Sequence, residues 1–186
     1  PDLPQADFLA PEGYEAVYRT NAITRHGEHG NALLSRWPVI AHQHEDMSDH
    51  RFEQRGLLHV QVKVGRRVVH CIVVHLGLIA ASRQRQVEQL GRFIQREIPR
   101  TAPVVVAGDF NDADDPTIVD ALPGVEHVVP SSTNPSLQPT QLLDHILLPV
   151  DATDVSASVP SGGTDWAAIS DHLPVTVRFS IVTKGV

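Results

Sequence analysis

The chain has 186 residues, 15 basic and 22 acidic side chains, a formal charge of −7 and one cysteine. The length suits one domain with a sizeable core, and no apolar run approaches membrane-spanning length. The acidic balance argues against a broad electrostatic grip on duplex phosphates, while it leaves room for a local basic groove and suits metal-binding carboxylates.

Cys71 lies within Val68-Val69-His70-Cys71-Ile72-Val73-Val74. Alone it forms no internal disulfide and no thiolate cage, and it reads as a core thiol. No signal peptide is read in the sequence, and a start at Pro1 rather than Met is expected to be processed, trimmed or a chosen boundary.

Residues 1–14, rich in Pro, Asp and Gly, read as an entering loop. Weak alternation over 15–21 suggests a strand. Arg25-His26-Gly27-Glu28-His29-Gly30-Asn31 is polar and glycine-punctuated and reads as a loop. Within it Arg25, His26 and His29 suit either substrate recognition or plain solvation. Ala32-Leu33-Leu34-Ser35 is a short strand broken by Trp37-Pro38. Another strand starts over 39–42, and 42–50 reads as a polar connection. Residues 56–64 and 67–75 form paired strands about a Gly65-Arg66 turn. The second is nearly continuous in apolar residues, as in a central strand covered on both faces.

Residues 81–98 make the strongest helix. Val87, Leu90, Ile94 and Ile98 recur at helical spacing, Ser82 is a candidate cap and Pro99 ends it. Its arginines, Arg83, Arg85, Arg92, Arg96 and Arg100, are expected mostly to face solvent or to pair with Glu88 and Glu97. A strand enters at Val104. Beyond it, Asp112, Asp114 and Asp115 read as a solvated loop and helix start rather than a calcium-type run. A short helix over 116–122, a loop over 128–142 and strands over 143–148 and 153–159 follow. Ser161-Gly162-Gly163-Thr164 is a flexible loop, and the last strand covers 175–182. Strands with inserted helices suggest layered sheets with helical cover.

The chemistry concentrates in Val104-Val105-Val106-Ala107-Gly108-Asp109-Phe110-Asn111-Asp112, a buried strand with a polar tip. Asp109 and Asn111, two apart, point the same way if the tip stays extended. A carboxylate and an amide there suit a site that steers a water and holds a charged oxygen. A strand-end turn with an Asx cap is the plain alternative. Further polar clusters sit at other strand ends: His75, Asp144 with His145, and Asp171 with His172. Such gathering at strand ends suits metal-assisted displacement at phosphorus. Arg55 suits a brace at the site or at a strand end, and His145 reads as structural.

Five segments occur in the order of a known family: Gly30-Asn31-Ala32-Leu33-Leu34-Ser35-Arg36, His75-Leu76-Gly77-Leu78, Gly108-Asp109-Phe110-Asn111, Leu143-Asp144-His145-Ile146-Leu147 and Ser170-Asp171-His172-Leu173-Pro174. From about Gly30 to Val182 the chain resembles the endonuclease/exonuclease/phosphatase superfamily, its bacterial members above all. The resemblance implies a four-layer α/β sandwich, two facing mixed sheets flanked by helices. It implies a hydrolase acting on phosphate esters, a phosphodiester foremost, with Mg²⁺ or Mn²⁺. Asp109 would orient or deprotonate the attacking water. Asn111 would hydrogen-bond the nucleophile or phosphate, and His75 would donate to a phosphate oxygen. His172 would stabilise phosphoryl charge, with its ring held by Asp144. Asp171 would bind the metal. Asn31 suits either the substrate site or a turn.

The family also carries an early Asn and a Gln-Glu pair whose Glu is the main metal ligand. Neither precedes Tyr14 here; Glu12 and Glu15 do not follow Gln. The expectation is therefore a single domain over 1–186 that lacks its N-terminal part, its principal metal Glu lying upstream of Pro1. The rival expectation is a non-catalytic binding or scaffold module. The substrate class stays open among nucleic acid, a phospholipid headgroup and a small phosphodiester, with acidic charge and few aromatics disfavouring nucleic acid. No obligate protein partner and no transmembrane segment are read, and a bacterial cytoplasmic location is expected.

Overall fold

The Gly65-Arg66 hairpin lies at the middle of the architecture. The computed structural model describes residues 5–25, 27–112, 122–128 and 131–181. Its elements run α1 (Gln5–Leu9), β1 (Glu15–Thr24), β2 (Gly27–Ser35), β3 (Val39–Asp46), β4 (Gly56–Val64), β5 (Arg67–His75), α2 (Ala80–Glu97) and β6 (Val104–Asp109). After these come β7 (Val125–Val128), β8 (Asp144–Pro149), β9 (Ala152–Ser158), α3 (Thr164–Ala167) and β10 (Thr176–Ile181). A six-stranded mixed sheet has the order β3-β4-β5-β6-β8-β7. Only β5 and β6 are parallel in it, joined through α2. Two antiparallel ribbons, β1–β2 and β9–β10, complete the strand content.

Strand alternation divides two cores across the large sheet. Leu57, Ile72, Val74, Val104, Val106 and Leu147 face α2, packing on Val87, Leu90, Phe93 and Ile94. Leu58, Val60, Val62 and Val69 face the other way, toward Val17 of β1, Leu33 of β2 and Ile181 of β10. The result is an α/β sandwich of strand layers with few helices. Its second strand layer consists of the two ribbons, and no ladder joins them among the described residues. Cys71 packs in the second core, where burial pushes its thiol up to about 11.

Several boundaries move. The loop expected over 25–31 is strand from Gly27, held by pairs such as Ile23↔Glu28 and Arg19↔Asn31. Backbone pairing supports that polar ribbon without apolar alternation. Strand β3 likewise runs through the polar stretch to Asp46, because β4 pairs it as far as Gly56. α1, β7 and α3 were not expected; α1 occupies part of the loop expected over residues 1–14. Asp114, Asp115, His26, Val182 and the expected 116–122 helix, apart from Leu122, lie outside the described residues.

Helix α2 holds more than the apolar core. Ser82 does not cap it: the N-cap is Ile79, and the Ser82 hydroxyl donates to Asp49 Oδ2 at 2.6 Å. Arg85, Arg92 and Arg96 form the surface pairs expected of helix arginines, with Asp49, Glu88, Glu45 and Glu97. Arg83 departs from that expectation and is buried. It lies four residues before Val87 and so shares the apolar face. Its guanidinium donates to Leu78 O (2.8 Å) and to Asp112 Oδ1 (3.3 Å). Asp112 is thus a buried ion-pair partner, not part of a solvated loop. One turn on, Gln86 accepts from Gly77 N (2.8 Å) and donates to Met47 O (3.0 Å). The two side chains fasten the loops after β5 and β6 to one helix.

Two buried imidazoles lie between α2 and the sheet. The Gln43 amide donates to His59 Nδ1 (3.3 Å), so the His59 proton sits on Nε2 and reaches His70 Nδ1 at 2.9 Å. Burial, then the charge His70 would carry, lowers the His59 pKa to about 4 against the pull of Glu97. His145, buried against Phe110 and bonded to His127 at 2.7 Å, is lowered to about 4, with burial the largest cause. An unfolded imidazole takes its proton near pH 6.5. Between that pH and about 4 the unfolded chain therefore binds more protons, and stability falls as pH falls. Each ring is expected to contribute about 1.4 kcal/mol per pH unit there. Urea unfolding across this range should show that slope, and His59→Gln should flatten it by one proton's share. Removing the buried guanidinium with Arg83→Met should destabilise by about 3 to 5 kcal/mol. In the same urea assay, Asp112→Leu added to Arg83→Met should recover much of that loss.

Candidate active site

Three adjacent strands end in one row of polar side chains. In the parallel β5–β6 ladder His75 faces Asp109, and in the antiparallel β6–β8 ladder Asp109 faces Asp144. Directly paired residues project from the same face of a sheet. All three therefore stand on the ribbon-facing side, at one end of the sheet. Gly108 lets the middle strand sit there. Its φ is +154°, and a Cβ at this position would lie 1.9 Å from the Val74 carbonyl oxygen.

Beyond Asp109 the tip is turned, not extended. Asn111 adopts the left-handed conformation (φ 52°), which asparagine tolerates. Its N–H donates to Asp109 Oδ1 at 2.8 Å, an Asx turn. Its amide donates to Leu76 O at 2.8 Å. Phe110, fully buried, anchors the turn, and its N–H donates to Leu143 O at 2.8 Å. The turn and the candidate site are thus one object. Oδ1 of Asp109 holds the turn, while Oδ2 faces His75 Nε2 at 3.6 Å and His172 Nε2 at 3.9 Å.

His172 arrives from the loop between α3 and β10. Its Nδ1 bonds Asp144 Oδ2 at 2.7 Å, which leaves Nε2 toward Asp109. Thr133 also donates to Asp144 Oδ2, at 2.5 Å. The same segment steadies the His172 loop: Ser136 N donates to Asp171 O (2.8 Å), Ser136 Oγ to Ser170 O (2.6 Å), and Leu173 N to Thr133 O (2.8 Å). Thr133 and Ser136 are buried and were not anticipated; a loop with proline punctuation carries no pattern that would reveal them.

The two imidazoles titrate in opposite directions. Burial works against charge on both. For His172 the Asp144 hydrogen bond and the charges of Asp144, Asp109 and Asp171 outweigh it, and its pKa is raised. For His75 burial and the Arg55 guanidinium prevail over Asp109, and its pKa is lowered. Burial also raises Asp109, with Asp144 adding to that effect and the Asn111 N–H and both imidazoles opposing it. Arg55 is itself held by Glu53 Oε1 at 3.0 Å, the atom that also accepts from Leu78 N at 3.0 Å.

The structure therefore brings His75, Asp109, Asn111, Asp144 and His172 together. Ligand atoms of Asp109, Asp144 and His172 lie within 4.8 Å of one another, a possible acidic and imidazole cation site. The Asp171 side chain is exposed beside it and acts electrostatically on His172. Asn31 is buried under the β1–β2 ribbon. Its amide donates to Gly56 O (2.7 Å) and Val73 O (3.1 Å), tying ribbon to sheet.

Comparison with known proteins places the fold. The uncharacterized protein YbhP of Escherichia coli (strain K12) is 34% identical over 196 residues, covering 97% of this chain and 75% of YbhP. Among solved structures, the endonuclease/exonuclease/phosphatase from Bacteroides vulgatus superposes with a TM-score of 0.75 at 15% identity, over 91% of this chain and 77% of that one. D. rerio TDP2 complexed with single strand DNA product gives 0.71 at 20% identity, over 90% and 77%. The mannosyl-6-phosphatase Bt3783 of Bacteroides thetaiotaomicron gives 0.67 at 17% identity, over 91% and 78%. With the family pattern matched over residues 1–172, the chain belongs to the Endonuclease/Exonuclease/phosphatase family.

Proposed function

We propose that this protein is a divalent-metal-dependent phosphoesterase that hydrolyses a phosphodiester, or a phosphomonoester, by water attack at phosphorus. The observation that carries the reading is the row His75, Asp109 and Asp144, with His172 bridging the two carboxylates. D. rerio TDP2, solved with a single strand DNA product, and the mannosyl-6-phosphatase support phosphate-ester chemistry on this fold.

In this reading Asp109 Oδ2 orients the water and takes its proton; the raised pKa makes it a stronger base than a solvated carboxylate. The water oxygen bonds phosphorus and the ester P–O bond breaks. The proton gained by Asp109 is matched by one delivered from solvent to the departing oxygen. His172, charged more readily than a free imidazole, offers Nε2 to the phosphoryl oxygens, and Asp144 keeps its ring in one tautomer. His75, held toward its neutral form, donates a hydrogen bond to a second phosphoryl oxygen. Asn111 keeps its carbonyl end for the nucleophile, since its amide nitrogen already bonds Leu76 O.

The close carboxylate and imidazole ligands fit a hard cation such as Mg²⁺ or Mn²⁺ that keeps several of its own waters. Asp171, exposed next to His172, would hold it. When bound, such a cation supplies charge stabilisation to the phosphoryl oxygens.

The test is a panel of soluble esters, p-nitrophenyl phosphate and bis-p-nitrophenyl phosphate, assayed with Mg²⁺ or Mn²⁺ and with EDTA. Hydrolysis should stop with EDTA. Asp109→Asn and His172→Ala should each lower kcat by about 100-fold or more while leaving the urea midpoint in place. Full rates in both variants would defeat the mechanism.

A further inference from the structure

The far end of the large sheet holds a second set of polar side chains, on the face opposite the candidate active site. His70 precedes His75 in β5 by five residues, about 17 Å along an extended strand. It shares the α2 face with Ile72 and Val74. There it borders a cavity of about 580 Å³, walled by β4, β5, the C-terminal end of α2 and the turn into β6.

Hydrogen-bond donors converge on this cavity with nothing to receive them. The His59 Nε2 proton reaches His70 Nδ1 at 2.9 Å, so His70 accepts there and carries its own proton on Nε2. Burial lowers the His70 pKa, which keeps the ring neutral and that proton single. With Nδ1 turned inward to His59, Nε2 is left toward the cavity. His70 is 5% exposed, and among the described residues nothing accepts from Nε2. The Arg67 guanidinium, the Gln61 amide and the Thr101 hydroxyl border the same cavity, and among the described residues they have no partner either. Gln61 pairs directly with His70 in the β4–β5 ladder, so the two side chains project together. The one carboxylate present, Glu97, is already engaged. Arg96 Nε donates to it at 2.6 Å, and the Gln43 amide donates as well.

A buried donor without an acceptor costs free energy that a bound acceptor recovers. We propose that this cavity binds a small organic acid, its carboxylate accepting from His70 Nε2 and the Arg67 guanidinium and its apolar body lying along Val68, Pro99 and Pro103. A carboxylate offers about four lone-pair sites, enough for all four donors. The Arg67 fork matches its two oxygens in parallel bonds. A phosphate dianion fits less well: Glu97 and the negative C-terminal end of α2 both border the cavity, and they oppose a double charge more than a single one. The volume lies in the range of small-molecule sites and exceeds what a bare ion fills. Because the cavity lies at the other end and on the other face of the sheet, its occupancy does not rest on the phosphoesterase reading.

The experiment is an NMR titration of the full chain with sodium benzoate and with sodium hexanoate, following the His70 imidazole nitrogens and the Gln61 and Thr101 backbone amides. Both acids are expected to shift these signals saturably and to leave His75 and His172 unmoved. Benzamide, which keeps the ring and lacks the charge, should bind about tenfold or more weakly than benzoate, and inorganic phosphate should also bind more weakly. Arg67→Gln should weaken benzoate binding by about tenfold or more, while its urea midpoint and its hydrolysis of bis-p-nitrophenyl phosphate stay unchanged. The absence of a saturable shift with either acid would overturn the proposal, as would equal affinity for benzamide or undiminished affinity in Arg67→Gln. Tighter binding of phosphate than of benzoate would overturn the carboxylate assignment, and shifts centred on His75 and His172 would place the acid in the cleft instead.

Discussion

The arrangement depends on one register: His75 beside Asp109 beside Asp144, fixed by backbone ladders in three adjacent strands. A shift of one residue in any ladder would turn the polar end groups to the opposite face. It would also turn Val104 and Val106, or Ile72 and Val74, away from α2. The apolar core therefore guards the site geometry. Displacing the carboxylates means exposing the hydrophobic face, at about 1.5 to 3 kcal/mol for each large side chain left in water. Gly108 belongs to the same constraint, since no side chain fits between β6 and the Val74 carbonyl.

Around that row the protein divides labour within single side chains. Asp109 gives one oxygen to its own turn and the other to the cleft. Asp144 gathers Thr133 and His172 on one oxygen, so the loop at 133 and the loop at 172 meet at a strand end. The two imidazoles then differ by environment. Asp144 favours the charged form of His172, and Arg55 disfavours that of His75. Separation of titratable groups by their surroundings is what lets similar side chains take different tasks in one cleft.

Much of this was legible in the sequence. The Gly65-Arg66 hairpin, the apolar run of β5 and the spacing of Val87, Leu90 and Ile94 each reflect a strong local signal, and each forms. The polar residues at strand ends were legible because a buried strand that stops at Asp, Asn or His has nowhere else to place them than at its mouth. What escaped was set by tertiary pairing. β2 from Gly27 to Asn31 and the far half of β3 are polar and carry no alternation; partner strands make them strands. Arg83 sits at a position that spacing assigns to the buried face, and its charge misled. Burial there is stable because Asp112 and two loop carbonyls receive it.

The buried guanidinium also fixes the loops in place. Loops after parallel strands have few backbone partners of their own, so their carbonyls must be satisfied from elsewhere. Here α2 reaches both with Arg83 and Gln86, and it is the same helix whose apolar face covers β5 and β6. The helix cannot leave the sheet without releasing both loops. Core packing and placement of Asn111 are therefore coupled through one element, and a change at Arg83 would be felt both in stability and at Asp109.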